Sequence, residues 1–344
     1  MSDPAAFLFL GQQDTLDAGV LDMQRAMRVV SDALCMLESG QCIQPFKVVL
    51  RDEENVQSEE RGRFNGLCAS IKGESPAVGI KWIGSFPANR KSGLPRASAI
   101  VILNSPVTGL PIAIMDGTLI SAMRTAAITA LGARHLAPRK SRKAAVIGGG
   151  VQARTQILGL FTALPELEEI AVFCRRRSQA DALRLECQSR FGAPVALAES
   201  ATAAMADADV VVPITTAVEP LIHAVDVKPG ALTIQMSGHE CDFDVVRRCD
   251  KIVTDNWEAM KHRGIITPAI MHAQGLLEDD DLHATLGEVI LGRKPGRESQ
   301  GERIHFAHMG MGVEDVALAA SVYRSACDLG IGQRIRLWDV PFWY

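Results

Sequence analysis

One short stretch constrains this chain more than any other: Lys143-Ala-Ala-Val-Ile-Gly-Gly-Gly-Val-Gln-Ala153. Its start reads as a β-strand, and Gly148-x-Gly150-x-x-Ala153 then opens a helix. Each small residue has a physical task. Gly148 permits a tight turn, Gly150 lets the backbone approach a pyrophosphate, and Ala153 lets the helix pack closely on its strand. The helix N-terminus, with Val151 and Gln152 in its first turn, offers free N–H groups to the anion. A glycine-rich turn in an unrelated α/β protein would share the glycines alone. Here the strand–turn–helix context is present, and a second strand follows at the distance a dinucleotide site needs.

That second strand ends Ile170-Ala-Val-Phe-Cys174-Arg175-Arg176-Arg177-Ser178. An NAD enzyme normally carries Asp or Glu at this tip, to bind the ribose 2′-hydroxyl. Cysteine followed by arginines would instead suit a 2′-phosphate, because guanidinium groups bind phosphate bidentately. Arg175, Arg176 and Ser178 are the expected contacts, and NADP(H) is favoured with NAD(H) left open. The other reading of the arginines is a solvated helix start.

At roughly 150 residues per domain, 344 residues imply about two domains. Apolar residues at helical spacing (Leu21, Met27, Val30, Leu34, Leu37) predict a helix over 14–40, stopped by Gly40. Short strands alternate with turns over 43–115, including Val78–Ile83, Ser98–Leu103 and Pro111–Met115, with a hairpin loop at 104–109. A helix is expected over 121–137. From Lys143 on, strands and helices alternate regularly, which implies a mostly parallel sheet covered on both faces. The last helix, 314–329, is expected to return to the first domain. The fold class is therefore α/β: a Rossmann-type doubly wound parallel sheet, residues 123–314, inserted in an α+β substrate-binding and dimerisation domain, residues 1–122 plus 315–344.

Charge and composition exclude several functions. A formal net charge of −4 argues against a nucleic-acid binder, which would show a basic excess. The longest apolar run, near Ala97–Leu103, is far too short to span a bilayer, so no membrane partner is expected. The opening MSDPAAFLFLGQQD lacks the basic start of a secretory leader, and a cytoplasmic location is expected. No two of the eight cysteines have C-x-x-C spacing, and no disulfide framework is expected. His305 and His308 form the nearest histidine cluster, but a structural zinc needs four converging ligands. No metal is expected.

Three further places carry chemistry. Lys81 stands inside the apolar strand Val78–Ile83, on the face of Gly79. It would either bind a carboxylate and exchange a proton or guard a sheet edge against aggregation. Arg124 is placed in the first turn of its helix, where it would clamp a substrate carboxylate or be an ordinary surface arginine. Met236-Ser-Gly-His239-Glu240-Cys-Asp242-Phe-Asp244 follows a sheet strand. Ligands in open α/β sheets bind beyond the strands' carboxyl ends, so His239, Glu240 and Asp244 are acid/base candidates.

Gly79-Ile-Lys81-Trp, Arg124-Thr-Ala-Ala, the Gly148–Ala153 turn and Met309-Gly-Met-Gly-Val-Glu-Asp315 occur in the order seen in the ornithine cyclodeaminase/μ-crystallin family, which the chain resembles over nearly its whole length. Gln44-Pro-Phe-Lys47-Val-Val-Leu-Arg51, Gly79–Ser85, Leu119–Ala127, Leu282-His-Ala-Thr-Leu-Gly287, Pro295-Gly-Arg-Glu298 and Met309–Asp315 are similar to the branch that forms 2,3-diaminopropionate for siderophores and peptide antibiotics. The resemblance implies that Lys81 contacts the substrate carboxylate and transfers a proton, that Arg124 binds the same carboxylate, and that Lys47 replaces an arginine with that role. It places the family's catalytic aspartate at Glu240, with His239 or Asp242 as substitutes. It adds Thr125, Thr215, Met236 and Gly310 to the cofactor contacts, and it implies a homodimer sharing the N-terminal strands. The implied reaction is NAD(P)-dependent oxidative cleavage of N-(2-amino-2-carboxyethyl)-L-glutamate to 2,3-diaminopropionate and 2-oxoglutarate. Ornithine cyclodeamination, ketimine reduction and NADPH-dependent binding of a small ligand without catalysis are the alternatives.

Overall fold

The computed structural model describes residues 5–51, 62–217 and 219–343. The chain divides into two compact units, Met1–Arg124 with Met311–Tyr344, and Thr125–Gly310.

The first unit is built on a mixed eight-stranded sheet. Its strands are β1 (Ala6–Leu10), β2 (Cys42–Ile43), β3 (Val48–Arg51), β4 (Arg63–Ile71), β5 (Ala77–Ser85), β6 (Ala97–Asn104), β7 (Pro111–Asp116) and, from the chain's end, β16 (Gln333–Arg336). The order is β16-β1-β7-β6-β5-β4-β2, with β3 also paired to β4. Among the described residues only β1 and β7 run parallel to each other; the other pairings are antiparallel. The β6–β7 hairpin is closed by Asn104, whose side-chain amide donates to the Gly109 carbonyl at 2.8 Å.

Alternation along these strands gives the sheet two unlike faces. Leu67, Ala69, Ala99, Val101 and Leu103 are buried on one, under the helix Gly312–Leu329, against which Met23–Glu38 packs. The opposite face exposes Phe9, Val48, Leu50, Phe64 and Ile100. β5 lies between β4 and β6, so Lys81 is not an edge-strand residue.

Two helix boundaries differ from those the sequence predicts. In place of one helix over 14–40 there are two, Gln12–Asp17 and Met23–Glu38. Gly19 takes a φ of +78°, which ends the first, and the Asp22 carboxylate caps the second by accepting from the Arg25 N–H at 2.9 Å. The helix expected from Ser121 starts at Thr118 and runs to Leu136. The Asp116 carboxylate accepts the Leu119 N–H at 3.2 Å, one of the donors a helix start leaves free. Arg124 therefore lies in the second turn, not the first.

The second unit is an eight-stranded sheet in which every pairing is parallel. Its strands are β8 (Lys143–Ile147), β9 (Glu169–Phe173), β10 (Val195–Leu197), β11 (Val210–Pro213), β12 (Leu232–Gln235), β13 (Lys251–Thr254), β14 (Ala284–Thr285) and β15 (Ile304–Ala307). The order is β10-β9-β8-β11-β12-β15-β13-β14. It reverses direction between β8 and β11, the topological switch point of a Rossmann sheet. Strands buried on both faces read as continuous apolar runs, as Val210–Pro213 does; Leu232–Gln235 is equally buried but includes the polar Thr233 and Gln235. Among the described residues no helix is long and apolar enough to cross a membrane.

Candidate active site

In the first unit four charged side chains meet under the sheet. Lys81 is 1% exposed, and Glu314 and Asp315 are fully buried. The Lys81 Nζ donates to Asp315 Oδ1 at 2.8 Å and to the Ser121 hydroxyl at 3.0 Å. Asp315 Oδ1 also accepts from Arg124 Nε at 2.9 Å, while Arg124 Nη1 reaches Glu314 Oε2 at 3.1 Å. Arg124 Nη2 takes part in neither ion pair. At 7% exposure Arg124 is not a surface arginine.

Local sequence explains how the acids arrive there. A Cβ at Gly312 would lie 2.5 Å from the Cys68 carbonyl oxygen, so only glycine lets the start of helix Gly312–Leu329 approach β4 this closely. Leu67 pairs with Lys81 across β4–β5, and the first turn of that helix brings Asp315 onto the lysine and Glu314 onto Arg124. The acidic pair in the otherwise apolar run 309–320 was the available signal, since buried charges need partners. The sequence reading noted Asp315 within a motif but gave neither acid a role.

Burial lowers the pKa of Lys81 to about 8, with Arg124 and Lys47 pushing the same way and Asp315 opposing. Burial also acts to lower Arg124, but Asp315 and Glu314 outweigh it and the net shift is upward. Arg124 is thus a fixed cation. Lys81 is a cation that can release a proton near neutral pH. Lys47 is half-buried beside β3, near enough to Lys81 to affect it.

In the second unit the glycine turn follows β8. Gly148 has a φ of +130°, and a Cβ there would sit 2.6 Å from the Ile214 carbonyl oxygen. At Gly149 a Cβ would sit 2.8 Å from Cys174 Sγ. Gly150 has open space where its Cβ would be, and helix Val151–Ala163 starts immediately after it. Val151 is exposed, Gln152 half-buried and Ala153 fully buried. An open glycine at a helix start, at the switch point of a parallel sheet, fits a pyrophosphate.

Cys174 stands at the tip of β9 with no carboxylate in its place. Arg176 Nε donates to Gln179 Oε1 at 3.1 Å, and Gln179 Nε2 donates to the Gly149 carbonyl at 2.6 Å, which ties Arg176 to the turn. Arg175, Arg176 and Ser178 are exposed. Arg177 is drawn off to Glu199 at 3.0 Å and Asp181 at 3.6 Å. It behaves as an ordinary helix-start residue, so the run offers a phosphate two arginines and not three.

Glu240 is 1% exposed. Its Oε1 accepts from the Thr215 N–H at 2.5 Å and the Thr215 hydroxyl at 2.8 Å, and its Oε2 accepts from the Ser237 hydroxyl. Burial raises its pKa, against the pull of these three bonds. The Thr215 hydroxyl is committed to Glu240, and it accepts from the Ala217 N–H at 3.1 Å. Asp242 caps a helix at the Val245 N–H and meets His223 at 3.1 Å; Asp244 is exposed beside Arg247. His239 packs against Phe243, with its Nε2 buried and unpartnered among the described residues.

At the carboxyl end of β13, Asp255 Oδ2 accepts from the N–H groups of Met309 (2.7 Å) and Gly310 (2.9 Å). The sequence reading missed this residue, which holds the Gly310 turn in shape. Met236 follows β12 directly. Thr125 sits on helix Thr118–Leu136, with its carbonyl accepting from the Thr129 hydroxyl at 3.3 Å. His305 and His308 do not converge: His305 meets Gln235 at 3.2 Å and His308 meets Thr129 at 3.0 Å.

A Rossmann sheet with this turn, in a chain whose other unit gathers paired cations, is the equipment of an NAD(P)-dependent dehydrogenase or reductase. The comparisons with known proteins are specific. The model of the ornithine cyclodeaminase/mu-crystallin family matches residues 14–329. An alanine dehydrogenase of Archaeoglobus fulgidus is 33% identical over 339 residues, 97% of this chain and 99% of the relative. An N-((2S)-2-amino-2-carboxyethyl)-L-glutamate dehydrogenase of Staphylococcus aureus is 32% identical over 336 residues, 96% of this chain and 98% of the relative. The solved structure of the Thermococcus litoralis Delta(1)-pyrroline-2-carboxylate reductase, in complex with NADH and L-proline, superposes with a TM-score of 0.89 at 28% identity, covering 96% of this chain and all of that one. The chain belongs to the ornithine cyclodeaminase/mu-crystallin family.

Proposed function

We propose that the protein oxidises N-(2-amino-2-carboxyethyl)-L-glutamate at the glutamate Cα, with NADP+ preferred over NAD+, and releases 2,3-diaminopropionate and 2-oxoglutarate. The observation that carries the reading is the buried pair Lys81 and Arg124, bridged by Asp315: one fixed cation and one that can give up a proton. The Staphylococcus aureus relative, matched along its length, favours this substrate.

Lys47, Lys81 and Arg124 hold carboxylates and so fix the Cα–H. A dinucleotide held at the Gly148–Ala153 turn would supply the acceptor for the hydride that leaves this carbon. The amine nitrogen loses its proton as the Cα=N double bond forms, and Lys81, with its lowered pKa, takes that proton. Water then adds to the imine carbon, and the C–N bond breaks to give the ketone and the free amine. Glu240 is assigned the proton exchange that activates this water. Gly148, Gly150, Val151, Gln152 and Ala153 are assigned to the pyrophosphate, Arg175, Arg176 and Ser178 to the 2′-phosphate, and Thr125, Thr215, Met236 and Gly310 to the rest of the dinucleotide.

The enzyme is assigned to the cytoplasm, consistent with eight unbonded cysteines, and to a homodimer. The exposed apolar face of Phe9, Val48, Leu50, Phe64 and Ile100 supports the dimer, since a large exposed apolar patch marks an interaction surface. The two units divide as substrate-binding and dinucleotide-binding domains.

Incubation with the glutamate adduct and NADP+ or NAD+ tests the reaction. Reduced nicotinamide and 2-oxoglutarate should appear in equal amounts. Proline formed from L-ornithine without net cofactor reduction, with the adduct inert, would replace this reading with cyclodeamination. Pyruvate formed from L-alanine, with the adduct inert, would replace it with alanine oxidation.

A further inference from the structure

The middle glycine of the turn has no task at the pyrophosphate, and its surroundings supply one. A Cβ at Gly149 would lie 2.8 Å from Cys174 Sγ, 3.0 Å from Cys174 Cβ and 3.7 Å from Gln179 Cγ. The missing side chain lets the tip of β9 and the start of helix Arg177–Phe191 close on the turn. Gln179 stands in the first turn of that helix, and its side chain fills the join. The amide Nε2 donates to the Gly149 carbonyl at 2.6 Å. The amide oxygen accepts from Arg176 Nε at 3.1 Å and from the Cys174 thiol at 3.7 Å. The partners fix which way this amide points. A carbonyl only accepts and a guanidinium only donates, so the nitrogen faces Gly149 and the oxygen faces Arg176.

Neighbouring arginines are thus held in different ways. Arg177 is committed to Glu199 and Asp181, and its charge is answered there. Arg176 gives only its Nε to Gln179. Among the described residues no carboxylate meets its two terminal nitrogens, which can still grip a phosphate as a fork. Gln179 is neutral, so it holds the guanidinium without cancelling the charge. A carboxylate in its place would hold Arg176 as firmly and answer the charge that a phosphate needs. An exposed arginine left unheld would lose rotamer freedom on meeting a ligand. Arg176 has one of its bonds made in advance, and that bond leads through Gln179 to the glycine turn.

We infer that Gln179 is a positioning residue for cofactor choice. By tying Arg176 to the Gly149 carbonyl it presets the guanidinium for the 2′-phosphate of NADP, at a fixed place relative to the turn assigned to the pyrophosphate. The inference rests on the NADP preference proposed above. It adds which arginine carries that preference and what holds this arginine in place. Presetting a side chain reduces the entropy lost on binding. The gain falls to NADP alone, because NAD has a hydroxyl where NADP has the phosphate.

Calorimetric titration of the ligand-free enzyme with NADP+, and separately with NAD+, tests this as a double-mutant cycle over Gln179→Met and Arg176→Ala. Methionine keeps the length and the helix propensity of glutamine and removes both hydrogen bonds. The wild type should bind NADP+ about tenfold more tightly than NAD+, through charge-assisted bonds to the 2′-phosphate. Gln179→Met should lower that ratio about fivefold, the effect of freeing one long side chain, with NAD+ affinity nearly unchanged. Arg176→Ala should remove most of the ratio. In that background Gln179→Met should leave the ratio where it is, since nothing remains to be positioned. An unchanged ratio in Gln179→Met would overturn the inference and leave the NADP preference standing. So would equal loss of both cofactors, the mark of a merely structural tie. A further fall of the ratio when Gln179→Met is added to Arg176→Ala, or an unchanged ratio in Arg176→Ala itself, would overturn it as well. Tighter binding of NAD+ than of NADP+ by the wild type would overturn the cofactor reading along with it.

Discussion

The first unit builds its site by adding charge, and the second builds its site by leaving side chains out. Around Lys81 two cations are held by two buried carboxylates, and each group is kept in place by another's charge. Around Gly148 the backbone does the shaping, and charge enters only at the margin, where Arg154 Nη1 donates to the Gly150 carbonyl at 3.2 Å. The turn exists because three successive residues have no Cβ, and two of them could not accommodate one. Such sites fail differently. A charged cluster is broken by taking a group away, since that strands its partner. A glycine turn is broken by adding a single carbon, since the backbone around it has no room to move.

The largest test of this contrast is Lys81→Met, which keeps length and removes charge. Turnover should fall about 10³-fold, while cofactor affinity, read by nicotinamide fluorescence, stays as in the wild type. In the wild type Lys81 is protonated below its pKa of about 8, and the proposed oxidation uses it as a proton acceptor. kcat/KM should therefore rise with pH and level off above about 8. A variant as active as the wild type would show that charge is not what the first unit contributes.

Gly148→Ala inverts the experiment. Cofactor affinity should fall on the order of 10²-fold, and the melting temperature should drop by several degrees, because strained backbone costs roughly 1–3 kcal/mol. Gly150→Ala sharpens the result: its Cβ would meet nothing within 4 Å, so the melting temperature should hold while cofactor affinity falls. Equal destabilisation by both would mean that the turn is an ordinary loop.

The smallest effect lies where the second unit does use charge. Arg175→Ala with Arg176→Ala should weaken NADP binding about tenfold, through lost charge-assisted hydrogen bonds, and leave NAD unchanged. Arg177→Ala, already paired with Glu199 and Asp181, should change neither. Tighter binding of NAD than of NADP by the wild type would remove the role given to these arginines.

The second unit was the more legible in the sequence, and the contrast explains why. A backbone site is written in consecutive residues: Lys143–Ile147, Gly148 and Ala153 fix strand, turn and helix by local rules. The charged cluster is assembled from residues far apart in the chain. Lys81 and Arg124 could be singled out because each breaks an apolar pattern, and the family resemblance placed both at the substrate. The role of Asp315 could not be read, since nothing local says that it sits on Lys81. Arg124 was set one turn too early because the Asp116 carboxylate, not a residue near Ser121, starts its helix. The split at Gly19 was hidden for a related reason: helical spacing continues through a break that only a positive φ reveals. Glu240 shows the limit from the other side. Its place after β12 was readable, but its commitment to Thr215 and Ser237 depends on loops from separate strands.

The position of β15 in its sheet bears on how the chain can be made. This strand, Ile304–Ala307, lies between β12 and β13, both of which leave the ribosome well before it. Until residue 307 emerges, those two strands each lack a neighbour, and the second sheet stays open in its middle. The first sheet waits longer still for its covering helix Gly312–Leu329 and for β16. Its early strands carry Lys81 toward an apolar interior before Asp315 has been synthesised. At about 5–20 residues per second the delay amounts to seconds, during which neither sheet can close. Completion of both sheets thus waits for the strands Ile304–Ala307 and Gln333–Arg336. A chain cut short before residue 304 would keep the glycine turn and the lysine intact in sequence while lacking the partners that let either of them fold.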